Sequence, residues 1–134
     1  MATITYTVTV ATGTNQYGTG NKYYINGTVS PTIQLQEGNT YIFDTSDNSN
    51  LTHVFAFSTN PNNSPAAAYT TGVTTTGVSG NAGSNTTIIV GNSTTTADQT
   101  VPPLFYYCTV HAGMGGSAPT ITQSSGVSNK FNPP

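Results

Sequence analysis

The fold class is decided by an alternating run near the start of the chain, TITYTVTV at residues 3–10. Ile4, Tyr6, Val8 and Val10 fall on one face of an extended backbone, and four threonines fall on the other. Alternation of this kind has the period of a half-buried β-strand and not that of a helix. The run therefore predicts a first strand at residues 3–10 of a β-sheet protein.

Shorter runs of similar composition follow along the chain, each bounded by Gly, Asn, Asp or Pro. They predict strands at residues 23–25, 32–35, 40–43, 53–57, 86–90, 104–108 and 120–122. The first three of these are expected to pair as consecutive strands of an antiparallel sheet. Asn26-Gly27 predicts a tight turn, and the polar stretch 58–85 predicts a functional or assembly loop. Seven to nine short strands separated by turns predict an all-β protein, a Greek-key β-sandwich.

The composition agrees with strands and turns. The chain contains 27 Thr, 14 Gly and 8 Pro, and its 34% of hydrophobic residues include many Tyr, Val, Ile and Phe. These residue types suit pleated sheets and turns better than helix interiors. The length of 134 residues suits one domain. We divide it into an N-terminal strand and hinge that would act as an assembly arm (1–22), the sandwich (23–123) and an irregular tail (124–134).

Charged residues make up only 4% of the chain, where an ordinary domain has about 25%. Two lysines cannot neutralise a row of phosphates, so nucleic acid is not an expected partner. No stretch approaches the roughly 20 apolar residues of a membrane span, and residues 1–10 lack the features of a signal peptide. A surface rich in Thr, Asn and Ser is typical of proteins outside cells or inside large assemblies.

The only cysteine lies in the segment YYCTVHAGM, residues 106–114. Cys108 precedes His111 by three residues and Met114 by six. A thiolate, an imidazole and a thioether in one turn are typical ligands of a blue-copper centre, which also needs a second imidazole. His53, at the start of the apolar run 54–57, is the only other histidine. The sequence thus predicts one type 1 copper site formed by His53, Cys108, His111 and Met114.

Other interpretations of these residues are open. A sandwich that retains the ligands without using them is one, and zinc is another, although zinc prefers a further Cys, His or carboxylate to a thioether. Cys108 and His111 could form a nucleophile and base, but the sequence offers no third orienting group. Asp44 and Asp47 have too few acidic neighbours for a strong calcium site, and turn hydrogen bonds are their expected role. We expect no enzymatic activity and no catalytic residue.

At these positions the chain resembles the cupredoxin family, and its Cys-x2-His-x2-Met spacing is similar to that of the short-loop, amicyanin-like members. The resemblance implies a Greek-key sandwich with His53, Cys108 and His111 as equatorial ligands and Met114 as the axial one. It also implies one-electron transfer through the exposed edge of His111. Many members have an asparagine after the first histidine that ties the two ligand segments together. Val54 occupies that place here, which predicts a less rigid site.

The chain also resembles cupredoxin-like modules in structural proteins of tailed phages of marine bacteria. The segments that carry this likeness are KYYING at 22–27, PTIQL at 31–35, GNTYIFD at 38–44 and YYC at 106–108. This resemblance implies a virion decoration, cement or appendage protein, made in the host cytoplasm without a signal peptide, whose partners are other virion proteins or copies of itself. The alternative is a soluble, extracytoplasmic blue-copper protein with an electron-transfer partner. Adhesion through the Tyr, Asn and Thr loops is a third possibility.

Overall fold

The structure is a computed structural model and describes residues 2–61, 67–91 and 101–121. Within these ranges the chain forms twelve strands and one short 3-10 helix, Asn48–Asn50. The strands are β1 (Thr3–Asn15), β2 (Gly18–Ile25), β3 (Thr28–Val29), β4 (Leu35–Gln36), β5 (Thr40–Asp44), β6 (Phe55–Ser58), β7 (Ala68–Tyr69), β8 (Val73–Thr76), β9 (Asn85–Ile89), β10 (Leu104–Cys108), β11 (Gly116–Ala118) and β12 (Thr120–Ile121). Eight of them have three residues or more. The predicted all-β sandwich is confirmed.

Two sheets form the layers of the sandwich. The larger has the strand order β3-β2-β1-β5-β9-β8, and the smaller has the order β11-β10-β6-β7. A third pair joins β12 to β4 in parallel. The prediction that the strands at 23–25, 32–35 and 40–43 pair consecutively in one antiparallel sheet is wrong, because β2 lies between β1 and β3. β5 instead pairs in parallel with β1, with Thr3 opposite Thr40 and Thr7 opposite Asp44. The β4 segment pairs with β12 instead of with β5.

Aromatic side chains join the two layers. Phe43 of β5 packs on Phe55 of β6 with ring centroids 4.7 Å apart, and Phe55 stacks on Tyr106 of β10 at 5.4 Å. Tyr23 of β2 contacts the same Phe55 ring at 5.1 Å. All four rings are almost fully buried. Burial of this area is the main force that holds the sheets together, and it fixes β6 and β10, the strands next to the predicted ligands.

The prediction of a hinge at residues 11–22 is wrong. The first strand extends to Asn15, and its second half forms an antiparallel hairpin with β2, in which Val8 lies opposite Ile25 and Asn15 opposite Gly18. Gly and Asn favour a loop locally, but continuous ladder bonds with β2 override that preference. In the structure, residues 3–15 pair with strands of the same chain. A role of this segment as an assembly arm stays a prediction.

The remaining local predictions have mixed outcomes. Asn26 and Gly27 form the predicted turn, with φ of 50° and 86° as a type I′ hairpin requires. The stretch 58–85 is not a plain loop, because β7 and β8 lie within it and pair with β6 and β9. The predicted tail 124–134 lies outside the described residues. Among the residues that the structure describes, no helix is long and apolar enough to cross a membrane.

Candidate metal centre

His53 is held in place by the short 3-10 helix before it. Asp47 caps this helix by accepting a hydrogen bond from Ser49 N–H, and the His53 N–H donates to the Asn50 carbonyl at 2.9 Å. The Asn50 side chain is fully buried and donates to the Val8 carbonyl of β1 at 2.8 Å. Two consecutive links therefore join the histidine to the long first strand. The imidazole itself is buried, with 6% of the residue exposed.

Cys108 and His111 come from the end of β10 and the turn that follows. Cys108 is fully buried and lies opposite Phe55 in the ladder between β10 and β6. Just beyond that pair, the Thr109 N–H donates to the Val54 carbonyl at 3.0 Å. This backbone hydrogen bond joins the segment of His53 to that of Cys108. The main chain thus links the two segments at a position where Val54 offers no side-chain tie, and the predicted lower rigidity of the site stays a prediction.

Three donor atoms converge at this pole of the sandwich. Cys108 Sγ lies 3.7 Å from His53 Nδ1 and 3.8 Å from His111 Nδ1, and the two Nδ1 atoms are 3.1 Å apart. Bonds of about 2.0 Å to nitrogen and about 2.3 Å to sulfur, spread by about 120° around one ion, would separate sulfur from nitrogen by about 3.7 Å and the nitrogens by about 3.5 Å. The triangle matches this size, so the group can hold a metal ion.

Two groups lie beside the sulfur of Cys108, a backbone N–H and a buried phenol. The Val110 N–H donates to Cys108 Sγ at 3.4 Å. The Tyr23 hydroxyl is fully buried and has no hydrogen-bond partner among the described residues. Burial raises the pKa of Tyr23 well above its ordinary value, and the neighbouring Cys108 raises it further. Tyr23 is therefore a neutral neighbour of the sulfur.

Burial also affects His53. It lowers the pKa of His53 below the ordinary 6.5, and the charge of His111 lowers it further. A neutral imidazole is the form that binds metal ions. His111 is exposed, whereas His53 and Cys108 are buried. One ligand thus reaches the surface while the other two are shielded from water.

Met114 is buried, with 1% exposed, and packs in the core at the end of the ligand loop. Its predicted role as axial ligand stays a prediction. Gly113 has a φ of 82°, a conformation that glycine adopts without strain. At Gly115 the reason for glycine is space, because a Cβ there would overlap the carbonyl oxygen of Tyr106. The glycines thus let the loop fold tightly against β10.

The hairpin of β1 and β2 contributes residues that the sequence did not single out. Asn15 Nδ2 and Lys22 Nζ both donate to the carbonyl oxygen of Gly113, at 2.8 and 2.7 Å. The Tyr23 N–H donates to the next carbonyl, that of Met114, at 2.9 Å. A cavity of about 300 Å³ lies between the hairpin and the ligand loop. One feature of the sequence could have pointed to Lys22: it is one of only two lysines, and it directly precedes the apolar residues Tyr23, Tyr24 and Ile25.

The other interpretations of these residues gain little from the geometry. Asp44 accepts hydrogen bonds from Ser46, and Asp47 caps the 3-10 helix, so both have the turn roles that the sequence predicts. In the described part of the chain, the group of His, Cys, Asp and Glu side chains close enough to share a metal contains neither. Complete burial of Cys108 leaves a substrate no direct route to its sulfur, which is unfavourable for a nucleophile.

Comparison with models of known protein families found no match, and comparison with curated proteins found none. The class of site therefore follows from the donor atoms and from the sandwich that holds them. What the geometry defines is an all-β sandwich with a site at one pole, built from His53, Cys108 and His111, that could hold a metal ion.

Proposed function

We propose that the chain is a cupredoxin-like protein that holds one copper ion in a type 1 site and transfers single electrons. His53, Cys108 and His111 are the equatorial ligands, and Met114 is the axial ligand. The observation that carries the proposal is the triangle of one sulfur and two Nδ1 atoms, with sides of 3.7, 3.8 and 3.1 Å. Two imidazoles with one thiolate form the equatorial set of blue-copper sites.

The choice of copper over zinc depends on the fourth ligand. Structural zinc sites complete a tetrahedron with another Cys or His, and catalytic sites often use a carboxylate. Among the described residues, no fourth side chain of these types joins the group. The sulfur-containing side chain nearest in sequence is the buried Met114. A thioether is a soft donor that suits copper and is a poor partner for zinc.

The chain's own residues account for the requirements of electron transfer. When bound, copper supplies a one-electron couple between its +1 and +2 states. Burial of His53 and Cys108 excludes water from these two ligands, and the backbone bond between Thr109 and Val54 keeps their segments together. The Val110 N–H withdraws electron density from the thiolate. The exposed His111 provides the route from the site to the surface.

The surface beside the ligands suits contact with a partner. Val54 and Val110 are 39% and 56% exposed, and each is the chain neighbour of a ligand. They lie close together because the backbone bond from Thr109 to Val54 joins their segments. Exposed apolar side chains around an exposed ligand can exclude water when a redox partner docks. This apolar surface favours an electron carrier over a purely structural protein.

Copper loading tests the proposal directly. Titration of the metal-free protein with copper(II) should give a strong blue thiolate-to-copper absorption band that saturates at one equivalent. Cys108→Ser should abolish the band, because the band requires the thiolate. His53→Gln should lower copper(II) affinity by tenfold or more, since one of three strong ligands is lost. Asn85→Ser, a change in β9 outside the ligand loop and its hairpin, is the control and should behave as the wild type.

Two results would contradict the copper site. A wild-type protein that stays colourless with copper(II), or a Cys108→Ser variant with the same band, would exclude a thiolate–copper bond. Zinc that displaces copper(II) stoichiometrically at equal concentration would assign the site to zinc, because copper(II) forms the more stable complexes with a given set of ligands.

A structural role in a virion is our second candidate, and the charge content favours it. Only 4% of the residues are charged, an uncommon value for a freely diffusing domain. Sedimentation of the purified chain separates the two roles. A defined oligomer that persists on dilution favours the structural role, and a monomer with reversible one-electron chemistry favours the carrier. The absence of enzymatic activity remains a prediction in both cases.

A further inference from the structure

The carbonyl oxygen of Gly113 accepts two side-chain hydrogen bonds from the opposite hairpin. Asn15 Nδ2 donates at 2.8 Å and Lys22 Nζ at 2.7 Å. Gly113 lies between His111 and Met114, so its carbonyl belongs to the backbone that spaces two proposed ligands. One acceptor thus receives a neutral donor from β1 and a cationic donor from β2.

The charged side chain of Lys22 is buried, which is unusual for a lysine. Only 3% of the residue is exposed, although lysine is almost never buried without a charged partner. The carboxylates in the described part of the chain bind other groups: Glu37 accepts from Val101, Asp44 from Ser46 and Asp47 from Ser49. The hydrogen bond of the ammonium is to a neutral carbonyl. A buried cation is costly unless it is paired and hydrogen-bonded, and here a neutral carbonyl takes the place of a counter-charge.

The proposed copper site gives the charge an electrostatic role. A copper(II) ion with one thiolate has a net positive charge, whereas copper(I) with the same thiolate is neutral. A fixed positive charge nearby therefore disfavours the oxidised state more than the reduced state. Because little of Lys22 is exposed to solvent, salt screens this effect less than it would at an open surface.

We propose that Lys22 is a positioning residue for the ligand loop, and that its buried ammonium raises the reduction potential of the metal held by His53, Cys108 and His111. The inference rests on the proposed function, because the second half requires bound copper. The first half, the positioning of Gly113 and Met114, applies equally to the metal-free protein. The Asn15 bond holds the same carbonyl oxygen without contributing a charge.

Three variants separate the effect of the Lys22 charge on the reduction potential from the effect of its hydrogen bond. Lys22→Met removes both and keeps an apolar stem, and Lys22→Arg keeps the charge. Asn15→Ala removes the neutral bonds of the Asn15 amide, among them the one to the same oxygen. The measurement is the midpoint potential by spectroelectrochemistry of the copper-loaded proteins. Lys22→Met should lower the ratio of copper(I) to copper(II) affinity by about tenfold, which is about 59 mV for one electron. Lys22→Arg and Asn15→Ala should stay within about threefold of the wild type.

A second measurement uses the metal-free proteins. Hydrogen exchange of the backbone amides at residues 111–116 should accelerate about tenfold or more in Lys22→Met, since the loop loses a hydrogen bond to a charged donor. Amides of β5 and β9 should keep the wild-type rate, which shows that the fold persists. Unchanged exchange at residues 111–116 would overturn the positioning role.

The outcomes distinguish this inference from the function on which it rests. Equal drops in potential for Asn15→Ala and Lys22→Met would assign the effect to the lost hydrogen bond and overturn the electrostatic role. An unchanged potential in Lys22→Met would overturn it as well. A wild-type chain that binds no copper would overturn both the proposed function and the redox half, while hydrogen exchange would still decide the positioning half.

Discussion

His53 shows how one residue depends on the environment that the fold creates. It lies 55 residues before Cys108, yet its Nδ1 is 3.7 Å from the sulfur. Burial lowers its pKa below 6.5, and the charge of His111 contributes in the same direction. The folded metal-free protein therefore binds fewer protons at this residue than the unfolded chain does, in the pH range between the lowered pKa and 6.5.

This proton difference predicts how the stability of the metal-free protein depends on pH. Above about pH 6.5 the contribution of the neutral His53 to the free energy of unfolding is fully present. As the pH falls through this window the free energy of unfolding should decrease, with a slope of at most about 1.4 kcal/mol per pH unit for one proton. Urea unfolding at pH 7.5, 6.5 and 5.5 measures this change in the free energy of unfolding. His53→Gln should have a flatter profile, and a slope equal to that of the wild type would contradict the assignment.

At the scale of elements, the ligand loop depends on its close contact with β10. The backbone at Gly115 approaches Tyr106 so closely that a Cβ would overlap the carbonyl oxygen of Tyr106. Residues 115 and 116 follow Met114 directly, so any movement there displaces the end of the ligand loop. The hairpin bonds to Gly113 and Met114 oppose such a movement from the other side.

Replacement of Gly115 tests this contact. Gly115→Ala should lower the free energy of unfolding of the metal-free protein by about 2–3 kcal/mol, because the backbone must move to accommodate the methyl group. It should also weaken copper binding. Gly83→Ala is the matched control: nothing lies within 4 Å of its Cβ, although its φ of 84° costs about 1–2 kcal/mol. Urea unfolding and copper titration measure both effects. A Gly115→Ala protein no less stable than Gly83→Ala would contradict the predicted contact.

For the molecule as a whole, the low charge content limits what electrostatics can contribute. The stability of the described sandwich comes from buried aromatic and aliphatic side chains and from sheet hydrogen bonds. The three described carboxylates bind uncharged donors, and Lys22 binds a carbonyl. Added salt can screen few attractive pairs in such a protein.

We therefore predict that stability is almost independent of ionic strength. The free energy of unfolding in urea should change by less than about 0.5 kcal/mol between 10 and 300 mM NaCl. If the protein transfers electrons, its rate of association with a partner should also depend weakly on salt, since little charge is available for steering. Stopped-flow kinetics over the same salt range measures the rate. A steep salt dependence of either quantity would contradict the prediction.

Local patterns in the sequence were sufficient for the all-β class, for β10 and for the turn at Asn26-Gly27, because alternation and turn residues act between near neighbours. The spacing of Cys108 and His111 is equally local. The second half of β1 and the strands β7 and β8 were missed, because the Gly and Asn residues within the first and the Gly, Asn and Pro residues around the others favour loops until a neighbouring strand supplies the ladder bonds.

By itself the sequence determined that this protein is built from strands and that one short segment carries a thiolate, an imidazole and a thioether. Only the tertiary structure decided that His53 meets Cys108, that main-chain atoms of Val54 and Thr109 join the two segments, and that Lys22 is buried against Gly113. The physical reason is distance along the chain. These contacts join residues tens of positions apart, and they form only when burial of the shared aromatic core brings the two sheets together.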